Sequence, residues 1–289
     1  MNVLSLFNGM NTGRQALENV GIKVNKYYSS EIKSYAIELT QHHFPDTIQI
    51  GDVTKWREWN IDWKNIDLVL SGSPCQDLSS AGKRAGINGN KSSLFFIFIE
   101  ILEHIKLLNS NVLFLQENVG SASKLDVGII SRALGVYPVR INSSLLTAQQ
   151  RDRYYWSNIK TKSTFFDLVT DIPQPKDKNI MLKDILTSGI TIEKKHKALL
   201  HRIYYAFGYK DKKSEQAQRY LITREKFGNT LIYEKDYIRL VNKIEMCRLQ
   251  GFPDNYCDIL PLIKAGSLLG DGWTLPIIEH IFSFIKKTN

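Results

Sequence analysis

VLSLFNGMNTG, residues 3–13, decides where the fold begins: a short β-prone run meets a polar turn with two glycines, and a helical stretch follows. Such runs and stretches alternate through the first 120 residues. Strands are predicted at 3–7 and 26–30, helices at 14–19 and 34–42, and Gly51-Asp52 closes a third strand. This alternation predicts an α/β fold, with a parallel sheet covered on both faces.

Two more buried strands run into polar turns. DLVLS at 67–71 leads into the turn 72–76, and VLFLQ at 112–116 leads into Glu117-Asn118-Val119. Both turns therefore lie at carboxyl ends of strands, where open α/β sheets build their sites. The polar, glycine-rich stretch 79–93 between them predicts a long loop before a helix at 94–107.

Length and composition limit the class of protein. The chain of 289 residues is 43% apolar, which predicts one catalytic domain with a small appended module. Its three scattered cysteines form no CxxC pair, so neither a disulfide framework nor a structural metal is expected. We expect a cytoplasmic protein, because the sequence contains no long apolar segment and no signal-peptide pattern.

Charge adds a weak indication of the partner. The formal net charge of +9 suits a polyanion, although many basic proteins bind no nucleic acid. Charged, linker-like sequence begins near residue 160, and regular patterning resumes near Arg239. The predicted division is 1–160, 161–238 and 239–289, the last ending in an amphipathic helix at 276–286.

The opening turn and two carboxylates indicate a nucleoside-bearing cofactor. A strand that turns through glycine into a helix lets backbone N–H groups approach a ligand, although Phe7–Gly13 alone also fits an ordinary tight turn. Glu31 follows the second strand at the separation suited to ribose hydroxyls, and Asp52 follows the third, suited to an adenine amino group. Either carboxylate could instead be a helix cap or a surface charge.

Cys75 and Glu117 are the candidate reactive pair. A lone cysteine is usually an inert core residue, but Cys75 lies just past a buried strand and before a basic loop. A nearby helix N-terminus or arginine would favour its thiolate. Glu117 ends the adjacent strand; it could be exposed there, whereas a buried carboxyl beside a nucleophile is suited to protonate a substrate nitrogen.

Two arginines follow further along the chain. Arg151 and Arg153 alternate within QQRDR at 149–153, which predicts both guanidinium groups on one face of a strand. Such a pair could hold the glutamate, a carbonyl oxygen or a phosphate, and a plain surface strand is an equally open interpretation.

In sequential order, these segments resemble the motifs of the cytosine-5 DNA methyltransferase family. The resemblance extends along nearly the whole chain and is carried by Phe7-x-Gly9, Pro74-Cys75-Gln76, Glu117-Asn118-Val119, Gln149-x-Arg151-x-Arg153, Arg248-Leu249-Gln250-Gly251-Phe252-Pro253 and Gly270-Asp271-Gly272-Trp273. FNGMNTG at 7–13, RYYW at 153–156 and LLG at 268–270 are more similar to the de novo type.

The resemblance implies a Rossmann-like, S-adenosylmethionine-dependent sheet with a small target-recognition module at 161–238. It implies that Cys75 attacks C6 of a cytosine flipped out of double-stranded DNA while Glu117 acts at N3, Arg153 holds O2, and Arg151 orients the acid and the Cys75 loop. The cofactor would then be held by Phe7, Asn8, Gly9, Thr12, Glu31, Ile32, Asp52, Val53, Ser73, Pro74, Leu94, Asp271, Gly272 and Trp273. The DNA would be held by Gln76, Ser79, Lys83, Arg84 and Lys91.

Departures from the family and competing functions accompany this prediction. Asn8, Ser73 and Lys243 stand where the family commonly has other residues. A tRNA cytosine-5 methyltransferase would share the same chemistry, and a non-catalytic nucleic-acid-binding regulator would share the fold. The short interval 161–238 predicts a short DNA recognition sequence, in the cytoplasm of a bacterial cell or a phage-infected host.

Overall fold

A seven-stranded sheet forms the centre of the amino-terminal part of the chain. The computed structural model describes residues 1–73, 94–199, 213–226 and 230–286. Its strands are β1 (Asn2–Leu6), β2 (Lys26–Ser30), β3 (Ile48–Gln49), β4 (Leu68–Ser71), β5 (Leu113–Val119), β6 (Val139–Asn142), β7 (Gln149–Gln150), β8 (Asp152–Ser157), β9 (Thr161–Ser163), β10 (Leu168–Thr170), β11 (His196–Lys197), β12 (Ile232–Tyr233) and β13 (Ile238–Arg239). Its helices are α1 (Thr12–Asn19), α2 (Ser34–His43), α3 (Leu94–Leu108), α4 (Lys124–Leu134), α5 (Glu215–Lys226), α6 (Lys243–Gln250), α7 (Leu262–Asp271) and α8 (Leu275–Phe282).

The strand order reverses beside β1. The sheet runs β3-β2-β1-β4-β5-β8-β6, with parallel pairing from β3 through β5 and antiparallel pairing of β5 with β8. The chain leaves β1 toward β2 and then returns to the other side as β4, so the order reverses between β1 and β4. Open α/β sheets bind ligands at the carboxyl ends of strands at such a switch point. The predicted α/β class and its parallel sheet are confirmed.

β5 is longer than the sequence predicts. Glu117, Asn118 and Val119 continue the strand because they pair with Tyr155, Tyr154 and Arg153 of β8. The expectation that these residues form a turn is therefore wrong. Antiparallel pairing satisfies their backbone groups and keeps the Glu117 side chain on a rigid strand.

Two compact units divide the chain. Unit 1 contains residues 1–141, 152–174 and 278–289, and unit 2 contains residues 142–151 and 175–277. The sheet just described lies almost wholly within unit 1, and residues 239–277 lie in unit 2. The functional division at 160 and 238 remains a prediction.

A buried ion pair stabilises unit 2. Glu245 is fully buried at the start of α6, and its carboxylate accepts Arg239 Nη1 at 2.7 Å and Nη2 at 2.9 Å. The backbone N–H groups of Thr187 and Asn242 each add a bond at 2.8 Å. Burial opposes ionisation, but these hydrogen bonds outweigh it and leave the pKa of Glu245 below its ordinary value.

Glu245→Gln is expected to lower the free energy of unfolding by about 3 kcal/mol at neutral pH, because it removes the buried carboxylate that binds Nη1 and Nη2 of Arg239 and leaves Glu234, 2.7 Å from Arg239 Nε, as the remaining counter-charge. A lowered folded pKa contributes stability above the ordinary carboxylate pKa of about 4.3, and that stability is lost as pH falls through the folded value. Urea denaturation at several pH values should therefore show a steeper acid loss for the unmodified protein than for the variant.

Glu215→Gln provides the matched control. Glu215 pairs with Arg219 on α5, and both side chains are more than three-quarters exposed, at 79% and 77%. Exposed pairs contribute little, so no measurable change is expected. Equal unfolding midpoints for Glu245→Gln and the unmodified protein would contradict the structural role of the buried pair.

Candidate active site

An acid and an arginine meet on neighbouring strands of unit 1. Arg153 Nε lies 2.8 Å from Glu117 Oε1, and the two side chains are only 14% and 11% exposed. Arg153 pairs with Val119 across the strands and reaches Glu117 diagonally. Its Nη1 also donates to the Asp152 carbonyl oxygen at 2.8 Å, so two bonds fix the guanidinium plane.

Arg151 has different partners. β7 ends at Gln150 and β8 begins at Asp152, so the expectation that one strand carries both arginines on the same face is wrong. The Arg151 carbonyl accepts Ser143 N at 2.9 Å, which places residue 151 at the break between the two strands.

Within unit 2, the Arg151 guanidinium donates hydrogen bonds to three backbone carbonyl oxygens. Its Nη2 donates to Gly270 O at 3.0 Å and to Gly272 O at 2.9 Å, and its Nη1 donates to Leu199 O at 3.3 Å. The sequence leaves open whether these arginines bind the glutamate, a carbonyl oxygen or a phosphate. In the structure Arg153 binds Glu117, and Arg151 binds backbone carbonyl oxygens. A role for Arg151 in orienting the acid remains a prediction.

The turn after β1 adopts an unusual backbone. Phe7, Gly9 and Asn11 have φ values of +55°, +57° and +63°, in the left-handed region that glycine tolerates best. Non-glycine residues in this region store strain, and such strain concentrates at functional sites. Asn8 is held from the side, since the Tyr27 hydroxyl donates to its Oδ1 at 3.2 Å and its Nδ2 donates to Thr40 Oγ1 at 3.3 Å.

The same turn has the features of a ligand cradle. A Cβ built on Gly9 would meet Phe7 O at 3.9 Å and no other atom of the described residues within 4 Å, so these residues leave space beside Gly9. Asn11 is fully buried at the start of α1, and neither polar atom of its amide has a hydrogen-bond partner within the described part of the chain. An orphaned buried amide beside open space fits a polar ligand at this helix terminus.

The two candidate cofactor carboxylates have local structural roles. Glu31 Oε2 accepts Gly9 N at 2.8 Å, and Glu31 Oε1 accepts the N–H groups of Ile32 at 2.8 Å and Lys33 at 2.9 Å. Asp52 Oδ1 accepts both Thr54 N and Thr54 Oγ1 at 2.9 Å, so it caps the 3₁₀ turn that follows. Each carboxylate retains lone pairs for a further donor.

The remaining candidate cofactor residues are distributed over both units. In unit 1, Ile32 is exposed, Val53 and Ser73 are buried, Thr12 begins α1, and Leu94 begins α3. In unit 2, Asp271 ends α7, and Gly272 and Trp273 follow it, half-buried. Seven candidates lie outside the described residues: Pro74, Cys75, Gln76, Ser79, Lys83, Arg84 and Lys91.

Sequence reasoning missed three residues that the structure brings to this end of the sheet. Tyr27 braces Asn8, Asn11 carries the orphaned amide, and Gln116 donates to Ser73 Oγ at 3.1 Å. The available signal was a polar residue inside a buried segment, as with the glutamine that closes VLFLQ. In the part of the chain that the structure describes, no cluster of three His, Cys, Asp or Glu side chains suits a metal ion. None of the described helices is long and apolar enough to span a bilayer.

Comparison with known proteins assigns the motifs to one family. A family model described as C-5 cytosine-specific DNA methylase matches residues 1–218. The type II methyltransferase M.NgoBV of Neisseria gonorrhoeae is 28% identical over 91% of this chain and 66% of its own length. M1.ScrFI of Lactococcus lactis subsp. cremoris is 28% identical over 96% of this chain and 76% of its own length.

A phage relative is also similar over a shorter region. The orphan methyltransferase M.SPRI of Bacillus phage SPR is 31% identical over 65% of this chain and 43% of its own length. The chain thus spans from less than half to about three quarters of the length of these three relatives.

Solved structures share the fold. A DNMT2 variant of Spodoptera frugiperda matches with a TM-score of 0.63 at 17% identity, covering 98% of this chain and 99% of that one. The Entamoeba histolytica methyltransferase EhMeth matches with a TM-score of 0.66 at 15% identity, covering 99% and 97%. At these identities the match demonstrates a common Rossmann-like architecture and not a common substrate.

Proposed function

The chain belongs to the C-5 cytosine-specific DNA methylase family, and from this premise we propose that it transfers a methyl group from S-adenosylmethionine to C5 of a cytosine in double-stranded DNA. The observation that carries the proposal is the buried Glu117–Arg153 pair at the carboxyl end of the parallel sheet. An acid held in place by a fixed cation suits proton chemistry on a polar ring.

Each reacting atom of the cytosine has a residue assigned to it. The Cys75 thiolate adds to C6, because C5 is too weak a nucleophile to take a methyl group unaided. Glu117 gives a proton or a hydrogen bond to N3, which turns the ring into an enamine whose C5 is nucleophilic. Arg153 holds O2 with the guanidinium N–H groups that do not bind Glu117 or the Asp152 carbonyl. Methyl transfer to C5 would release S-adenosylhomocysteine. Loss of the C5 proton, elimination of the Cys75 thiolate and return of the N3 proton to Glu117 then give 5-methylcytosine and the free enzyme.

The cradle around Gly9 is the proposed cofactor site. S-adenosylmethionine supplies the electrophilic methyl group when it is bound. The open space beside Gly9 and the orphaned Asn11 amide support binding at this turn, where Glu31 would accept hydroxyl groups. Asp52 and Val53 would face the nucleobase, and a cofactor role for Asp271, Gly272 and Trp273 remains a prediction from the family resemblance.

Double-stranded DNA would have to release its target base. C5 and C6 are inaccessible in a stacked duplex, so the cytosine must be flipped out at a cost of a few kcal/mol. Lys83, Arg84 and Lys91 are proposed to offset that cost at the phosphates, and 161–238 is proposed as the target-recognition region. We place this activity in the cytoplasm of a bacterial cell or a phage-infected host.

Methyl transfer from labelled S-adenosylmethionine to duplex DNA and to tRNA, assayed in parallel with the full chain, tests the substrate. Label is expected in duplex DNA, at C5 of cytosine, and not in tRNA. Label in tRNA alone would replace the proposed substrate by RNA. No label in either polymer, with the cofactor still bound, would support the non-catalytic regulator.

A further inference from the structure

One buried amide connects β5 to the residues that follow β4 at the proposed active site. Gln116 lies on β5 with no exposed surface, and its Nε2 donates to Ser73 Oγ at 3.1 Å and to Glu117 O at 2.8 Å. A primary amide has two donor hydrogens, and these two bonds use both. Ser73 is itself only 4% exposed.

Stability does not account for this glutamine. The rest of its segment, VLFL at 112–115, is apolar, and an apolar residue would fill the position without burying an amide. Among the residues that the structure describes, none hydrogen-bonds to the buried Gln116 Oε1 or to the buried hydroxyl of Ser71, its register partner on β4. Unsatisfied buried polar atoms destabilise a fold, so the donor bonds of the amide need another reason.

The positions of its two bonding partners, Ser73 and Glu117, supply that reason. Ser73 precedes Cys75 by two residues, and Glu117 is the proposed acid. Gln116 supplies a hydrogen-bond donor for the Ser73 hydroxyl. A displacement of about 1 Å between reacting groups can cost about a hundredfold in rate.

We propose that Gln116 is a positioning residue that holds Ser73, which precedes the proposed nucleophile by two residues in the sequence, against the strand that carries the acid. This inference rests on the proposed function. Gln116 touches neither substrate nor cofactor; it acts through Ser73 and Glu117.

A double-mutant cycle of Gln116→Met and Ser73→Ala tests the bond. Each single substitution is expected to lower kcat about five- to tenfold, and the double variant is expected to fall no further. For Gln116→Met, the KM for S-adenosylmethionine should stay within about twofold, while the rate of covalent trapping by DNA containing 5-fluorocytosine falls in parallel with kcat. Direct cofactor binding to Ser73→Ala separates any loss of cofactor affinity from loss of positioning.

Ser157→Ala is the matched control. Ser157 is a fully buried hydroxyl on β8, it pairs with Leu115 of β5, and its Oγ donates to Phe114 O at 2.6 Å. This control should lower the melting temperature without lowering kcat. If Gln116→Met does not fold, Ser73→Thr keeps the test, because it retains the hydroxyl and should retain more of kcat than Ser73→Ala.

Two results would overturn the inference. The first is an unchanged kcat in Gln116→Met. The second is a double variant whose kcat falls by the product of the two single-variant factors. Absence of methyl transfer by the unmodified chain would overturn the proposed function instead, so the two failures are distinguishable.

Discussion

Cys75→Ser is expected to reduce methyl transfer to duplex DNA by about ten-thousandfold or more, because a serine hydroxyl is a far weaker nucleophile than a thiolate and no adduct at C6 can form. Binding of S-adenosylmethionine should stay within about twofold, since the proposed cradle is built by the turn after β1. Filter assays of labelled methyl transfer and calorimetric titration with the cofactor measure the two effects separately.

Covalent trapping identifies the bond that the thiol makes. DNA containing 5-fluorocytosine cannot lose a proton from C5 after methylation, so the unmodified protein should form a complex that survives denaturing electrophoresis and Cys75→Ser should form none. Cys247→Ala is the matched control, because Cys247 is a free thiol buried in unit 2. It should trap DNA like the unmodified protein. Retained methylation by Cys75→Ser would refute the adduct mechanism.

The sequence predicts the first strands of the sheet well because each apolar run ends at a recognisable polar or helical segment of the chain. The runs at 3–7 and 26–30 end at polar or helical segments, and the strands of the structure agree within a residue. Buried parallel strands read as continuous apolar runs, and local sequence is enough to find them.

Pairing between distant strands is not visible in the sequence. Glu117-Asn118-Val119 is polar enough to indicate a turn. In the structure these three residues pair with β8 and so continue β5. The same limit explains Arg151, whose period-two spacing from Arg153 predicts a shared face. The chain breaks between β7 and β8 at that residue, and its guanidinium goes to carbonyl oxygens of unit 2.

Glu117→Gln is expected to lower kcat by about a thousandfold, near the middle of the range for loss of general acid catalysis. The glutamine oxygen can still accept Arg153 Nε, so the geometry of the pair is kept while the transferable proton is lost. The KM for S-adenosylmethionine should change little, and steady-state kinetics on duplex DNA measure the split.

Arg153→Lys tests the other half of the pair. A lysine ammonium is a point charge without the planar fork of a guanidinium, so it cannot hold Glu117 Oε1 and the Asp152 carbonyl in their present geometry while also reaching the cytosine. A loss in kcat of about a hundredfold is expected. In the control Arg140→Lys, the substituted side chain is 54% exposed and pairs with the Asp152 carboxylate, so kcat should stay within about threefold. Both variants keep the positive charge, so equal losses would mean that a guanidinium is needed at either position near Asp152 and would contradict a specific role for the guanidinium plane beside the acid.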